Sequence, residues 1–473
     1  MTGVGRPVIA SLVGKALLWR DAQTGRLSIH ELLRQYAEEA LESSGQAASV
    51  RDAHRIHFAA YTDRWSHALR DDQLNALDHL DHEYDNMVRA FEAAIKIATP
   101  EAIRPFTEVW NYFTIRGYLE DGARLLDASI EALGGADSVE LARVLTARAE
   151  IYGYSYDRTN QAHAALRAIE MFRRLAAEQY APLALINYLN SALRGDLEAE
   201  CAVCEEAYEL AERAADTWMM TIIANRYSHT LYALGRQDEA RSWINRARRL
   251  GHPNDLFTLS HTYNHIAHLA QADGDVEVAR HWFEMALDAS QRIGIRERVI
   301  WSEYGLFVLA LQTGHIDSAK HYAAEMLRTS RYMGMLPLEL TSLAASAMAY
   351  TADGDLAKAA DYLNLARPFD IDGHIDKHVR LRAGGAFLLR AELPEQAARL
   401  LTIVRIEPIF NQLLLVEQRM IDSELDQCRH LLGDARYEEI AEAARRKSLD
   451  ELEAELHAIL DSPSFHPPST LPD

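Results

Sequence analysis

The stretch HTYNHIAHLAQADGDVEVARHWFEMAL, His261 to Leu287, decides how the chain is built. Tyr263, Ile266, Ala267 and Ala270 recur at three- and four-residue spacing. A Gly-Asp pair follows, and Val278, Trp282, Phe283 and Ala286 then take up the same spacing. In a helix that spacing gathers side chains on one face, so the stretch predicts two helices folded back on each other along their apolar stripes. Gly274 supplies a residue free to take positive φ where the first helix ends. Asp275 offers a side-chain oxygen to the exposed N–H groups that open the second.

Outward from this hairpin the pattern returns. The turn glycines of LRGDLEAE, ALGRQDEA, ADGDVEVA, QTGHIDSA and ADGDLAKA fall at Gly195, Gly235, Gly274, Gly314 and Gly354, at intervals of 40, 39, 40 and 40 residues. Five residues after the last four stand Ala240, Ala279, Ala319 and Ala359, small enough for two helices to cross closely, whereas the Gly195 unit departs with Glu200. The period extends backward to Gly117 and Asp157 and forward to Glu392 ahead of Ala397, which makes about eight units. One such hairpin cannot bury its own stripe, so the units are expected to stack into a solenoid with an extended concave surface. The pattern G-D-x-x-x-A, followed by an aromatic or aliphatic residue and then a small one, resembles the tetratricopeptide repeat. That family's unit has 34 residues; the unit of about 40 here is similar to its longer variants in bacterial regulators. The expected fold is all-α, a tetratricopeptide-like right-handed α-solenoid of about eight helical hairpins.

The 473 residues carry 49 Lys+Arg against 70 Asp+Glu, a formal charge of −21, which argues against nucleic acid or an anionic membrane surface as the direct partner. An apolar share of 48% with 25% charged residues is an ordinary globular mixture that can bury a large core. Three cysteines cannot build a disulfide framework and fit a reducing compartment, so the cytoplasm is the expected location. The apolar stretch from Val8 to Trp19, interrupted by Lys15, is too short to span a membrane. Proline-rich residues 462–473 are expected to form a disordered tail.

The ends of the chain carry a second resemblance. LVGKALLWRDAQTGRLSIHELLRQYAEEAL resembles the latter half of the winged-helix domain that follows the nucleotide-binding domain in STAND-class signalling ATPases. HRIHFAAYTDRW, LDHLDHEYDNMVRAFEAAI and VWNYFTIRGYLEDGARLLDASI are similar to the helices that lead into the repeats of those proteins, and CRHLLGDARYEEIAEAARRKSLDELEAEL to the segment that closes them. The resemblance implies a winged-helix remnant with one β-hairpin over 1–45 and a lead-in helical segment over 46–135. It further implies repeats over 136–405, a helical cap over 406–461, and a chain that is either a fragment of such an ATPase or a stand-alone adaptor. It also places His30, in Ile29-His30-Glu31, where the family's Met-His-Asp type motif meets the ADP β-phosphate. That role requires association with a nucleotide-binding domain; without one, His30 is a structural residue at a strand-to-helix junction. The chain's only Gly-Lys pair, Gly14-Lys15, has Ile9 and Ala16 where a P-loop needs Gly and Ser or Thr, so no cofactor is expected.

Other chemistry is weighed on spacing. Cys201 and Cys204 lie within a second helix of a repeat and read as core. His261, His265 and His268 share one helical face, yet no carboxylate or Cys lies among them to complete a metal site. Projecting the repeat places Asn225, Arg226 and His229, then His261, Asn264, His265 and His268, then Trp301 and Tyr304, on the concave wall as a ligand-binding groove. Asn225 and Asn264, in equivalent places, could pair with both N–H and C=O of a ligand backbone, and Trp301 and Tyr304 could bury an apolar anchor. Histidines crowded near Arg226 are expected to become charged below about pH 6. The function read from these features is recognition of a peptide, protein or small effector by the sensor part of a STAND-type regulator; the alternative is an enzyme with a His/Asn/Arg site in the same groove.

Overall fold

The computed structural model describes residues 5–22, 25–134, 136–193, 195–367, 374–407 and 415–462; most of the expected tail therefore lies outside the described residues. The chain opens with α1 (Arg6–Gly14), a two-stranded antiparallel hairpin of β1 (Trp19–Arg20) and β2 (Leu27–Ser28), and α2 (Glu31–Ser43). Trp19 pairs with Ser28 and Arg20 with Leu27, in the only sheet among the described residues. Neither α1 nor α2 buries a residue, and Trp19, Leu32 and Tyr36 are all exposed. Next come α3 (Ala47–Ala68), α4 (Gln73–His82), α5 (Tyr84–Ile97) and the short α6 (Pro100–Ile103), with Phe58, Leu77, Phe91 and Phe106 in their core.

Among the described residues, eight helical hairpins follow. They pair α7 (Trp110–Arg116) with α8 (Leu119–Leu133), α9 (Val139–Tyr154) with α10 (Arg158–Arg174), α11 (Pro182–Ala192) with α12 (Leu197–Arg213), and α13 (Thr217–Ala233) with α14 (Gln237–Leu250). The rest are α15 (Leu256–Asp273) with α16 (Val276–Ile293), α17 (Arg296–Gln312) with α18 (Ile316–Met333), α19 (Leu336–Asp353) with α20 (Leu356–Leu365), and α21 (His374–Arg390) with α22 (Pro394–Ile406). Helices α23 (Leu415–Leu432), α24 (Asp434–Ala444) and α25 (Leu449–Leu460) close the array.

The local reasons are those of the sequence. Gly274 has φ 88°, the left-handed turn that ends α15, and the alanines five residues after the turns, Ala240, Ala279, Ala319 and Ala359, are fully buried at the crossings. Two details differ. At the second hairpin the left-handed residue is Tyr156 (φ 61°), and Asp157 instead caps α10 by accepting the Asn160 N–H. Asp196 and Asp355 cap their helices through the N–H three residues on, but Asp275 makes no such bond. Cys201, Cys204 and Cys428 are buried free thiols, with burial pushing Cys204 up to about 12.

The array winds tightly enough for distant units to touch. The Phe257 N–H, in the first turn of α15 where the helix itself offers no acceptor, donates to Gln73 Oε1 of α4 at 3.0 Å. Arg116 donates to the Ile293 carbonyl at 2.6 Å, and Arg298 of α17 to the Tyr154 hydroxyl of α9 at 3.4 Å. From the other end, α23 lies back across the inner side: Arg419 donates to the Ala272 carbonyl at 2.9 Å, and Arg382 of α21 grips Glu424 with two hydrogen bonds of 2.8 and 3.1 Å. Among the described residues no helix is long and apolar enough to cross a membrane.

Candidate functional site

The first helices of the hairpins from α7 to α17 surround a chamber of ≈ 360 Å³. Half open to solvent, it mixes apolar side chains such as Leu183, Ile186, Ile222 and Phe257 with polar ones. Of the groove residues expected from sequence, Asn225, Arg226, His229, His261 and His265 line it; Asn264, His268, Trp301 and Tyr304 do not.

One side is organised by Glu200, the residue that replaces alanine in the repeat. It is 1% exposed, accepts Arg226 Nη2 at 2.7 Å, the Thr230 hydroxyl at 2.9 Å and the Gly195 N–H at 3.1 Å. Arg226 also donates to Asn190 Oδ1 and to His229 Nδ1, both at 3.0 Å. Because arginine only donates, that last bond makes Nδ1 of His229 the acceptor. The His229 and His261 rings each lie 5.5 Å from His265. Among the described residues no group of three His, Cys, Asp or Glu is placed to hold a metal ion.

The opposite side was not legible residue by residue. Arg158 donates to Gln161, Gln161 to Asn187 at 2.8 Å, and Asn187 to Glu150 at 2.9 Å, a relay across α10, α11 and α9. Arg298 stacks on Phe257 at 3.9 Å and donates to that residue's own carbonyl at 2.7 Å. Glu297 accepts Trp301 Nε1–H at 2.6 Å. A signal did exist: Asn187, Asn225 and Asn264 stand 38 and 39 residues apart, the repeat interval itself.

Electrostatics follow from enclosure. Loss of water pushes the Glu150 carboxyl up to about 7 against the opposing Asn187 hydrogen bond, and raises Glu297 in the same way. It holds His265 down to about 4, helped by Arg226. His268 is held at about 3. The expected charging of His265 and His268 near pH 6 is thus corrected: burial, with Arg226 beside His265 and His265 beside His268, disfavours the imidazolium until far more acidic conditions.

The other expected residues, and Asn225 on its far side, make contacts of their own. His268 meets Phe283 edge-on at 4.9 Å. Asn264 is half-buried, and its Oδ1 has no hydrogen-bond partner. The Tyr304 hydroxyl donates to Glu417 of α23, which ties the half-buried ring to that helix. Asn225 is 1% exposed and accepts the Thr262 hydroxyl at 3.0 Å, which leaves only its amide N–H groups for a ligand. At the strand-to-helix junction, His30 caps α2 by accepting the Leu32 N–H at 3.3 Å.

The hairpin series is a tetratricopeptide-like α-solenoid. No known family profile and no curated protein matches the sequence. Solved structures do match. A Rap protein complexed with competence and sporulation factor aligns at 12% identity with a TM-score of 0.48, over 85% of this chain and 99% of that one. A STAND protein with a tetratricopeptide repeat sensor from Pyrococcus horikoshii aligns at 16% identity with a TM-score of 0.45, over 95% of this chain but only 60% of its own. Yeast Tom70 aligns at 14% identity with a TM-score of 0.31, over 84% of this chain and 95% of its own.

Proposed function

We propose that this chain is a recognition scaffold that takes a peptide, a protein segment or a small effector into its inner chamber, as the sensor part of a STAND-type regulator. The observation that supports the reading is a half-open chamber into whose wall arginines, amides and carboxyls are gathered. Burying this many arginines, amides and carboxyls within a solenoid costs stability, and a chamber of ≈ 360 Å³ is within the range of ligand pockets. The regulator context rests on the resemblance of the two chain ends, and His30 would meet nucleotide only through a nucleotide-binding domain supplied to it.

The test is equilibrium dialysis of the chain against the peptides and metabolites of a source-organism extract, with retained compounds identified by mass. Ile222 lines the chamber without polar duties, so Ile222→Trp fills it. Wild type should retain a compound that the equally helical variant does not; identical retention would move the binding surface elsewhere. For the regulator context, a P-loop reading frame immediately upstream in the genome supports a sensor fragment, and a promoter there supports a stand-alone adaptor.

A further inference from the structure

The first turn of α15 is held from outside the chamber. Phe257 is the second residue of that helix, and its N–H, which the helix cannot serve, donates to the side chain of Gln73, the first residue of α4, at 3.0 Å. Both residues are buried, Gln73 at 0% exposed and Phe257 at 4%, so solvent does not stand in for the bond. The Gln73 amide nitrogen has no hydrogen-bond partner among the described residues. The acceptor oxygen is therefore what this side chain contributes.

The same α4 reaches the other end of the hairpin. Its Asp81 carboxylate accepts Arg116 of α7 at 2.6 Å, and Arg116 donates in turn to the Ile293 carbonyl, the last of α16, also at 2.6 Å. Leu77 and Leu80 of α4 belong to one buried cluster with Leu256, Phe257 and Ile293. Because α15 begins and α16 ends at the open side of one hairpin, α4 seats both of its ends.

Phe257 is also the seat of Arg298. Its carbonyl accepts Arg298 Nη1 at 2.7 Å, its ring lies 3.9 Å from the guanidinium, and the Ser260 hydroxyl accepts the same nitrogen at 3.4 Å. Arg298 then donates to the Tyr154 hydroxyl at 3.4 Å. Phe257, Arg298 and Tyr154 line the chamber; Gln73 does not. Direct contacts thus run from α4 through α15 and α17 to α9.

We propose that Gln73 is a positioning residue of the chamber: by fixing Phe257 it sets where Arg298 stands in the wall, so the seating of α4 controls how tightly the chamber takes its ligand. The inference rests on the chamber being the recognition site. Coupling of this kind is reciprocal, so a ligand that steadies Arg298 also steadies α4. A partner that shifts α4 weakens binding without touching the ligand.

Three full-length chains decide it: wild type, Gln73→Leu, which removes the acceptor, and Gln73→Glu, which keeps an oxygen opposite the Phe257 N–H. Residue-resolved hydrogen exchange follows the amides of Phe257 to Ser260 and of Val299 to Ser302. Dialysis against the source-organism extract follows the compound that wild type retains and Ile222→Trp loses. In Gln73→Leu the first group of amides should exchange about tenfold faster, the scale of one buried hydrogen bond. The second group should quicken as well, and retention should fall about fivefold or more. Helices α22 and α24, in the other large buried cluster, should exchange as in wild type, which separates this effect from general loosening. Gln73→Glu should restore all of these readings. If Gln73→Leu loses helicity, the more pliant Gln73→Met takes its place. Unchanged retention in the variant, a Phe257 amide that keeps its protection, or a Gln73→Glu chain no better than Gln73→Leu overturns the proposal while the chamber reading stands. If wild type retains nothing from the extract, the chamber reading falls and the proposal with it.

Discussion

Glu200 shows how one side chain can defeat a consensus. By the repeat pattern it should be alanine, and Glu200→Ala would read as a repair. The structure predicts the opposite. Removing the carboxylate strips Arg226 of its counter-ion and leaves the Thr230 hydroxyl and Gly195 N–H without their acceptor. Arg226 retains its bonds to Asn190 and His229, and its side chain is 17% exposed, so part of the loss is recovered. We expect Glu200→Ala to destabilise the chain by about 2 kcal/mol in urea unfolding. The double variant Glu200→Ala/Arg226→Leu, which removes both charges, should recover part of that loss.

The hairpin itself makes a sharper demand at helix crossings than at turns. Gly274 adopts a left-handed conformation with nothing within 4 Å of where a Cβ would stand, so Gly274→Ala meets only backbone strain, about 1 kcal/mol. Gly305, inside α17, has helical backbone geometry, but a Cβ there would drive into the Phe283 ring of α16. Gly305→Ala should cost more than Gly274→Ala, about 1–3 kcal/mol as the ring and helix shift. Equal losses in urea titrations of the two variants would mean that the crossing of α16 and α17 is looser than described.

Across the whole molecule, buried titratable groups set the pH profile of stability. A carboxyl whose folded pKa is raised binds its proton more tightly in the native state, so its stability penalty is absent below the unfolded value and grows as pH rises toward the folded one. Glu150 and Glu303, both pushed up to about 7, and Asp255, to about 6, act in this way between roughly pH 4.5 and 8. The histidines act oppositely. A depressed imidazole contributes a penalty that is absent above about pH 6.5 and grows as pH falls toward the folded value, about 4 for His265 and about 3 for His268. The two sets oppose each other between about pH 4.5 and 6.5. We therefore expect a Tm plateau there, a decline toward pH 8 and a steeper one below about pH 4.5, by thermal scans in a buffer series. Glu150→Gln should flatten the decline toward pH 8, and His268→Leu the acid limb. A Tm that rises steadily from pH 6 to 8 would contradict this account. The same chain, lacking a glycine-rich phosphate loop, is expected to show no saturable ATP or ADP binding by calorimetry at millimolar nucleotide.

What the sequence by itself determined was everything with a short period. The spacing of Tyr263, Ile266 and Ala267 on one helix, of Trp282 and Phe283 on the next, and of the glycines between repeats follows from local sterics and from burial against the adjacent helix, so hairpins, turns and close crossings could be read directly. The β-hairpin near Gly25 was readable from the turn signal Asp21-Ala22-Gln23-Thr24-Gly25 between two short apolar runs. The chamber was not, because it depends on how far each hairpin is rotated on the last. Those small rotations add along the array until Tyr154 reaches Arg298, Gln73 reaches Phe257 and Glu417 of α23 reaches Tyr304. No local pattern encodes that sum. Only the tertiary structure decided that Asn225 would line a half-open chamber beside Arg158 and Arg298 while Tyr304, on the same concave series, would be tied to Glu417 of α23.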